Sequence, residues 1–340
     1  MDFLIDIIVP VYNVGDYLPT FFESLKAQTF QDFKLIIVYD NSDDNSLEIL
    51  NKYQEEFKER MVIIHSQERK GLGNARNIAL DSGYITAKYF SFLDPDDCII
   101  PTFYESLVDS ITKHHSDIAF MGFERRNIEN GKTLSIDMVH NPEIINKPYD
   151  NPTSIYLNTA VWNKLYLTEK FKDLRFDAIQ RSEDTTYFVR TITRANCISF
   201  VNKPLYIYSI RSTSLAQSFE LNHLQEILDS IKVLNNEIDT QKYYDFVCGL
   251  LFLRICIGAN MRIYSYNKRN YATARKTILR FMNEVFPKWY KTKFISFNSS
   301  RKNGKKAFAL FLLKKLYRLN MARPFFRHYV KKSKTKEIHW

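Results

Sequence analysis

Residues 92–100 read FLDPDDCII and place three carboxylates, Asp94, Asp96 and Asp97, at the end of an apolar run, with Pro95 wedged between the first two. Carboxylates this close repel one another, which raises their pKa values unless a cation sits among them. Hard oxygen ligands of this kind suit Mg2+ or Mn2+. One or two protein carboxylates are few for such an ion, so it would keep waters and draw further ligands from a phosphate-bearing substrate. The competing reading is that Asp96 and Asp97 cap the helix that begins near Pro101. That reading leaves Asp94 unexplained, because Asp94 ends the apolar run.

Two other clusters carry chemistry. Asp40 closes the run FKLIIVYD (33–40). A carboxylate there can accept a hydrogen bond from the N3–H of uracil or thymine. An Asx-turn within DNSDDN is the alternative, and it suits Asn41 and Asp43. KGLGNARN (70–77) contains G-x-G-x-x. As a dinucleotide fingerprint it is misplaced, since it follows the third apolar run and has Arg76 where a third Gly or Ala is needed. Arg76 one turn into a helix suits contact with a nucleotide instead.

The elements that must position these residues alternate. LIDIIVPVY (4–12), FKLIIVYD (33–40), MVIIHS (61–66), KYFSFLD (88–94) and DIAFMGF (117–123) read as strands. DYLPTFFESLKAQ (16–28), SLEILNKYQEEFKER (46–60), GNARNIALDS (73–82) and TFYESLVDSITKHH (102–115) have helical spacing, with Ser46 placed as an N-cap. Near-continuous apolar strands between amphipathic helices predict an α/β fold with a mostly parallel sheet covered on both faces. Ligands of such sheets bind beyond the carboxyl ends of the strands. Tyr12-Asn13, residues 40–44, the Arg69–Arg76 stretch and the carboxylate triplet each follow a strand. Loop chemistry explains any one of these clusters and explains all four together poorly. Residues 124–155 read as a polar connection, a mixed region runs to about 218, and from 221 the pattern is helical.

The composition bounds the setting. A chain of 340 residues, 45% hydrophobic and 25% charged, supports one large core or two moderate ones. The opening MDFLIDIIVPVYN has no basic segment and contains Asp2 and Asp6, which predicts no secretory leader. The most apolar stretch, VCGLLFLRICIG, is short and interrupted by Arg254, which predicts a soluble or peripheral chain. Cys98, Cys197, Cys248 and Cys256 are scattered, as expected of a reduced cytoplasmic setting. Residues 261–340 hold 22 Lys and Arg against Glu284 and Glu337, whereas the other 260 residues hold 26 basic and 36 acidic side chains. Such segregation points to a polyanionic partner surface, either anionic lipid or nucleic acid. FALFLLKKLYRLNMARPFFRHYVKK (308–332) has the composition of an amphipathic helix on an anionic bilayer. A homodimer interface, a partner-protein surface and an acidic acceptor chain are the competing readings.

The ordered set VPVYN, V-x-D-x-S-x-D-N-S, G-x-x-x-A-R-N and FLDPDD resembles bacterial family 2 glycosyltransferases, which are inverting enzymes with the GT-A fold. VWNKLY (161–166), RSEDTTYFVR (181–190) and YIYSIRSTSLAQS (206–218) resemble later segments of that family. The resemblance covers roughly residues 4–218. It implies a GT-A domain over 1–218, with a nucleotide-sugar half (1–125) and an acceptor half (126–218), followed by a helical basic region (219–340). Val9, Pro10 and Tyr12 would line the nucleotide pocket, Asp40 would hold the base, and Arg76 would lie near the nucleotide. Asp94 and Asp96 resemble the D-x-D pair, with Asp96 the direct ligand of Mn2+ or Mg2+ and Asp97 in support. Asp184, with Glu183 beside it, resembles the catalytic base. Arg211 and Ser214 would approach the diphosphate, and Trp162 and Lys164 would face the acceptor sugars, with a place in the core as the alternative for Trp162, since large aromatics are often buried. Most members carry V-D-D-G-S, where this chain has Tyr39 and Asn41 around the retained Asp40.

The resemblance implies a UDP-sugar donor and a glycan, lipid-linked or protein-linked acceptor. Together with the cysteine usage and the basic region 261–340, this gives a cytoplasmic chain, peripheral at the inner face of the cell membrane, as the expected setting, with no nucleic-acid partner. Three rivals make different predictions. A nicotinamide oxidoreductase needs no metal. A nucleic-acid-binding module would bind oligonucleotides through its basic tail without the Asp triplet. A catalytically inactive partner protein would keep the fold without turnover.

Overall fold

The computed structural model describes residues 3–67, 70–211, 219–302 and 304–336. The chain divides into two compact units, residues 1–146 with 158–212 and residues 147–157 with 213–340.

The first unit is built on a mixed ten-stranded sheet. β1 (Ile5–Val11) lies between β2 (Phe33–Tyr39) and β4 (Tyr89–Phe92), with β3 (Met61–His65) outside β2, and all four are parallel. Every residue of β1 is buried, as a strand covered on both faces requires. Helices α1 (Leu18–Lys26), α2 (Ser46–Phe57), α3 (Leu72–Asp81) and α4 (Phe103–Lys113) follow β1, β2, β3 and the short β5 (Cys98–Ile99). Phe22 of α1 stacks on Tyr53 of α2 with ring centroids 4.3 Å apart.

The second half of the sheet departs from the simple alternation. β6 (Ile118–Asn127) does not pair with β4. β9 (Lys164–Leu167) lies between them, antiparallel to both. β10 (Cys197–Ile210) then runs parallel to β6 and carries β5 and β8 (Ile144–Asn146) antiparallel. β7 (Thr133–Asp137) pairs antiparallel with β6. Residues 124–155, expected as a polar connection, therefore contain the end of β6 and two further strands. The alternation that marks a half-exposed strand is weak there, because these residues sit at the sheet margin and are mostly part-exposed. Ser46 is also corrected. Asn45 is the N-cap of α2, and the Ser46 hydroxyl accepts the Val14 N–H at 3.3 Å.

The sheet opens where the clusters lie. β1 pairs with β4 only as far as Ile8, whose carbonyl accepts the Leu93 N–H at 3.0 Å. Pro10 follows, and it has no N–H to donate. It stands where the β1–β4 ladder has already ended, so no bond is forfeited and the two strands part. On the other side the Val11 carbonyl still accepts the Asp40 N–H at 2.9 Å, which ties the end of β2 to β1.

The second unit is helical, with α7 (Leu221–Glu237), α8 (Tyr244–Leu251), α9 (Asn260–Tyr266), α10 (Tyr271–Val285), α11 (Phe297–Lys302), α12 (Gly304–Arg318) and α13 (Arg323–Lys336). A π-helical stretch, Phe252–Ala259, joins α8 to α9 into one span, Tyr244–Tyr266. Arg254 does not interrupt it, since its guanidinium donates to the Leu157 carbonyl at 2.6 Å. By length and composition this helix could cross a membrane, but 78% of its most apolar window is buried inside the protein, the pattern of a core helix.

Candidate active site

A turn separates the three carboxylates. The Asp97 N–H donates to the Asp94 carbonyl at 3.2 Å, with Pro95 in the position that favours proline. Each carboxylate leaves this turn toward a different partner. Asp94 Oδ1 accepts from Arg76 Nη2 at 2.9 Å. Asp96 is ion-paired with Arg211, whose guanidinium lies 4.0 Å from the centroid of the Tyr17 ring. Asp97 Oδ1 accepts the Ser209 N–H at 2.7 Å, and its Oδ2 accepts the Tyr206 hydroxyl at 2.6 Å.

These partners divide the triplet by role. Asp97 is buried with both oxygens occupied, and burial together with the charges of Asp96 and Asp94 pushes its carboxyl well above the usual range. Both oxygens of Asp97 already accept from donors of β10, so of the two expected roles its support of Asp96 suits this placement better than direct sharing of a metal. Asp94 and Asp96 keep 21% and 31% of their side-chain surface exposed. Burial and the Asp94 charge also raise Asp96, partly offset by Arg211. Among the described residues no three His, Cys, Asp or Glu side chains gather as a metal cluster. Asp94 and Asp96 nonetheless suit a hard divalent ion that takes its remaining ligands from water and phosphate. Each has one oxygen outside its Arg pairing, and added positive charge relieves the strain on Asp96.

Arg76 is the hub of the site. It is 3% exposed and bridges Asp94 to Glu183 Oε1, the latter at 2.7 Å. Its position depends on how closely α3 packs on the segment before α6 (Glu183–Arg194). A Cβ at Gly73 would meet the Asp177 carbonyl and Phe176 Cβ at 3.1 Å each. Gly71 has φ +88°, a left-handed conformation that glycine adopts freely. The two glycines of G-x-G thus turn the chain and let α3 approach. Asn77 clamps the same segment, donating to the Phe176 carbonyl and accepting the Phe176 N–H, both at 2.9 Å. Phe176 stacks on Tyr187 at 4.0 Å, and the Arg76 guanidinium lies 5.3 Å from the Phe176 ring. Asp177 is held by Arg190 at 2.8 Å and by the Thr186 hydroxyl. Asn77, Phe176, Asp177 and Arg190 were not singled out in the sequence. Only the Asn of A-R-N carried a local signal.

Glu183 and Asp184 begin α6 after Ser182, whose φ of +64° sets the turn. Glu183 is buried against Arg76. Desolvation raises its carboxyl, with the Arg76 charge opposing. Asp184 is part-exposed, and among the described residues its hydrogen bond is a 3.4 Å contact from the Thr185 hydroxyl. Of the two acids, Asp184 is the one with oxygens available to a ligand.

At the end of β2, Asp40 is 7% exposed, and its Oδ1 is buried without a hydrogen-bond partner. An orphaned buried carboxylate oxygen is costly and marks a place where a donor is missing. Tyr12 lies on the neighbouring loop, where its hydroxyl reaches Asp43 at 3.4 Å. Asn13 ties that loop to the 40–44 loop, donating from its N–H to Ser42 at 3.0 Å and accepting the Asp43 N–H at 2.8 Å.

Trp162 and Lys164 are not presented to solvent, contrary to the expected role of facing sugars. Trp162 is 6% exposed and stacks on Tyr206 at 4.3 Å and Tyr208 at 5.4 Å. Lys164 is 1% exposed and donates to the carbonyls of Asn158 and Ala160 and to Asn163 Oδ1. The insertion of β9 into the middle of the sheet buries both. Trp162 backs Tyr206, whose hydroxyl donates to Asp97. Ser214 and Arg69 lie outside the described residues.

Comparison with known proteins agrees with this architecture. The profile described as glycosyl transferase family 2 matches residues 6–181. The glycosyltransferase GlyA of Streptococcus pneumoniae serotype 4 is 30% identical over 243 residues, which is 68% of this chain and 34% of GlyA. The putative glycosyltransferase EpsH of Bacillus subtilis strain 168 is 28% identical over 229 residues, 64% of this chain and 63% of EpsH. The chain thus spans about a third of the first relative and under two thirds of the second. The crystal structure of S. aureus TarS 1–349 in complex with UDP-GlcNAc superposes with a TM-score of 0.64 at 21% identity, covering 100% of this chain and 93% of that one. The strand-end carboxylates and the buried Arg76 lie in a stretch matched by one profile over just over half of the chain, the acidic start of α6 follows directly after it, and the chain belongs to glycosyl transferase family 2.

Proposed function

We propose that the protein transfers a sugar, with inversion, from a UDP-sugar to a hydroxyl group of a glycan, lipid-linked or protein-linked acceptor. The observation that carries this reading is the buried, unpartnered Asp40 Oδ1 at the carboxyl end of β2. The N3–H of uracil supplies the donor that this oxygen lacks, and Pro10 and Tyr12 border the same sheet edge. A relative fold that holds UDP-GlcNAc supports the choice of donor.

In this mechanism Asp184 accepts the proton of the acceptor hydroxyl as its oxygen attacks the anomeric carbon. A general base must lie within hydrogen-bond reach of the proton that it takes, so the placement of Asp184 is what counts. Glu183 and Arg76 fix the first turn of α6 and thereby place Asp184. Arg211 lies beside Asp96 and stabilises the departing diphosphate, the kind of preorganised charge that is usually the largest catalytic contribution. Asp94 and Asp96 would hold Mn2+ or Mg2+, which when bound neutralises diphosphate charge. The same reading sets the chain in the cytoplasm at the inner membrane face, where the acceptor is assembled.

Calorimetric titration of UDP with and without Mn2+, on the native protein and on Asp96→Asn, tests this reading. Metal-dependent binding that the variant loses supports it. Equal binding without metal, or no binding, overturns the donor and metal assignments. UDP binding without transfer to any acceptor would instead favour an inactive partner protein.

A further inference from the structure

The helical unit contains a second charged site, independent of the donor reading. A cavity of about 340 Å3 is lined by Lys291, Lys314, Lys315 and Arg318 together with Tyr290 and Phe311. Three of the cations lie on α12, and Lys291 lies on the short 3-10 turn Trp289–Lys291. Two are held by aromatic faces, with Arg318 3.7 Å from the Tyr290 centroid and Lys315 4.6 Å from that of Phe311. Cations seated on rings are oriented rather than left to sweep through solvent.

Lys314 is the unusual member. It is 5% exposed, and among the described residues it has no hydrogen-bond or ion-pair partner. Asp245 is the acid that acts on it, from beyond ion-pair distance, and Asp245 Oδ1 is occupied by the Lys293 N–H at 2.7 Å. An ammonium at the wall of a cavity, largely removed from water and with no counter-charge at ion-pair distance, costs stability. Methionine would fill the same space without that cost. Retaining a lysine here makes sense when an anion enters the cavity.

We infer that this cavity binds a phosphate ester. Four cations around one space of this size exceed what a single carboxylate needs, and a guanidinium fork matches tetrahedral phosphate oxygens. The aromatic walls suit the carbon portion of the ester. Two sources offer this chemistry, a soluble polyol phosphate and a phospholipid headgroup. Phe297, Phe308 and Leu312 beside the cavity are 50%, 40% and 44% exposed, which suits contact with acyl chains.

The test uses the full-length protein with two probes. One is sn-glycerol 3-phosphate, followed by calorimetry. The other is phosphatidylcholine vesicles with and without phosphatidylglycerol, followed by co-sedimentation. The expected result is saturable binding in at least one arm, weakened about tenfold or more in Lys314→Met and in Arg318→Gln. Binding in the soluble arm assigns a polyol phosphate, and binding in the vesicle arm alone assigns a lipid headgroup. Binding in neither arm overturns the site, as does binding that both variants retain. Melting curves control for folding, and Lys314→Met is expected to melt no lower than the native protein. UDP affinity of both variants stays native, so failure here is distinguishable from failure of the donor site.

Discussion

Arg76 donates to Glu183 Oε1 at 2.7 Å across 107 positions of sequence, and both side chains are buried. This pair joins the helix after β3 to the helix that carries Asp184. It also connects to the strand-end turn, because Arg76 donates to Asp94 at 2.9 Å. The strand-end turn and the start of α6 are thus locked through one guanidinium.

Removing one partner of this pair leaves a buried charge without compensation. Arg76→Met is expected to lose about 3–5 kcal/mol of stability. The double variant Arg76→Met/Glu183→Gln recovers a large part of the loss, since the buried Glu183 charge is gone and only the part-exposed Asp94 is left without its cation. Urea denaturation of the four species measures the coupling, and additive losses would show that the pair is not the lock.

Asp40→Ala removes the orphaned oxygen and leaves the backbone bond to Val11 in place. The fold is expected to remain, with UDP affinity falling by about tenfold or more. Calorimetry with UDP and GDP checks both strength and base preference. An unchanged UDP affinity would place the base elsewhere.

Asp184→Asn is expected to lower the transfer rate by about 10²–10⁴-fold. UDP affinity is expected to stay native, because the proposed mechanism has Asp184 act on the acceptor. Glu183→Gln behaves differently and shows its main effect in the melting temperature. A near-native rate for Asp184→Asn would move the general base to another residue.

Gly73→Ala sets two effects against each other. Alanine gains up to about 1 kcal/mol of helix propensity. Its methyl group meets the Asp177 carbonyl and Phe176 Cβ at 3.1 Å, and overpacking of this kind costs about 1–3 kcal/mol. Neither neighbour is the flexible end of a side chain, so crowding wins. A lower melting temperature with weaker UDP binding is the expected outcome.

Lys314 makes stability depend on pH in a defined window. Burial pulls its ammonium down to about 8, while Asp245 and Cys248 oppose this and Lys315 adds to it. Between that value and the unfolded value of about 10.4, the unfolded chain holds the extra proton, so stability rises with pH. Cys248 itself is pushed up to about 12 and stays protonated through this range. Chemical denaturation from pH 7 to pH 10.5 of native protein and Lys314→Met measures the contribution as the difference in slope. The same rise in both proteins would refute it.

The amino-acid sequence by itself determined the alternation of β1 to β4 with their helices. Those strands are near-continuous apolar runs, a local property that needs no partner to be read. It also located Asp40, Arg76, the Asp triplet and the Glu183-Asp184 pair at element ends, because the apolar patterns stop there. Tertiary structure decided what those residues do. The turn at Pro95 sends three adjacent carboxylates to three partners, among them Tyr206 and Arg211, more than a hundred positions away. Insertion of β9 between β4 and β6 buried Trp162 and Lys164, and no local periodicity reports which strand a segment will pair with. The clamp of Asn77 on Phe176 and the unpaired state of Lys314 are likewise products of packing. Composition shows a basic region, but only the folded chain shows that Lys314 is largely buried in it without a hydrogen-bond or ion-pair partner among the described residues.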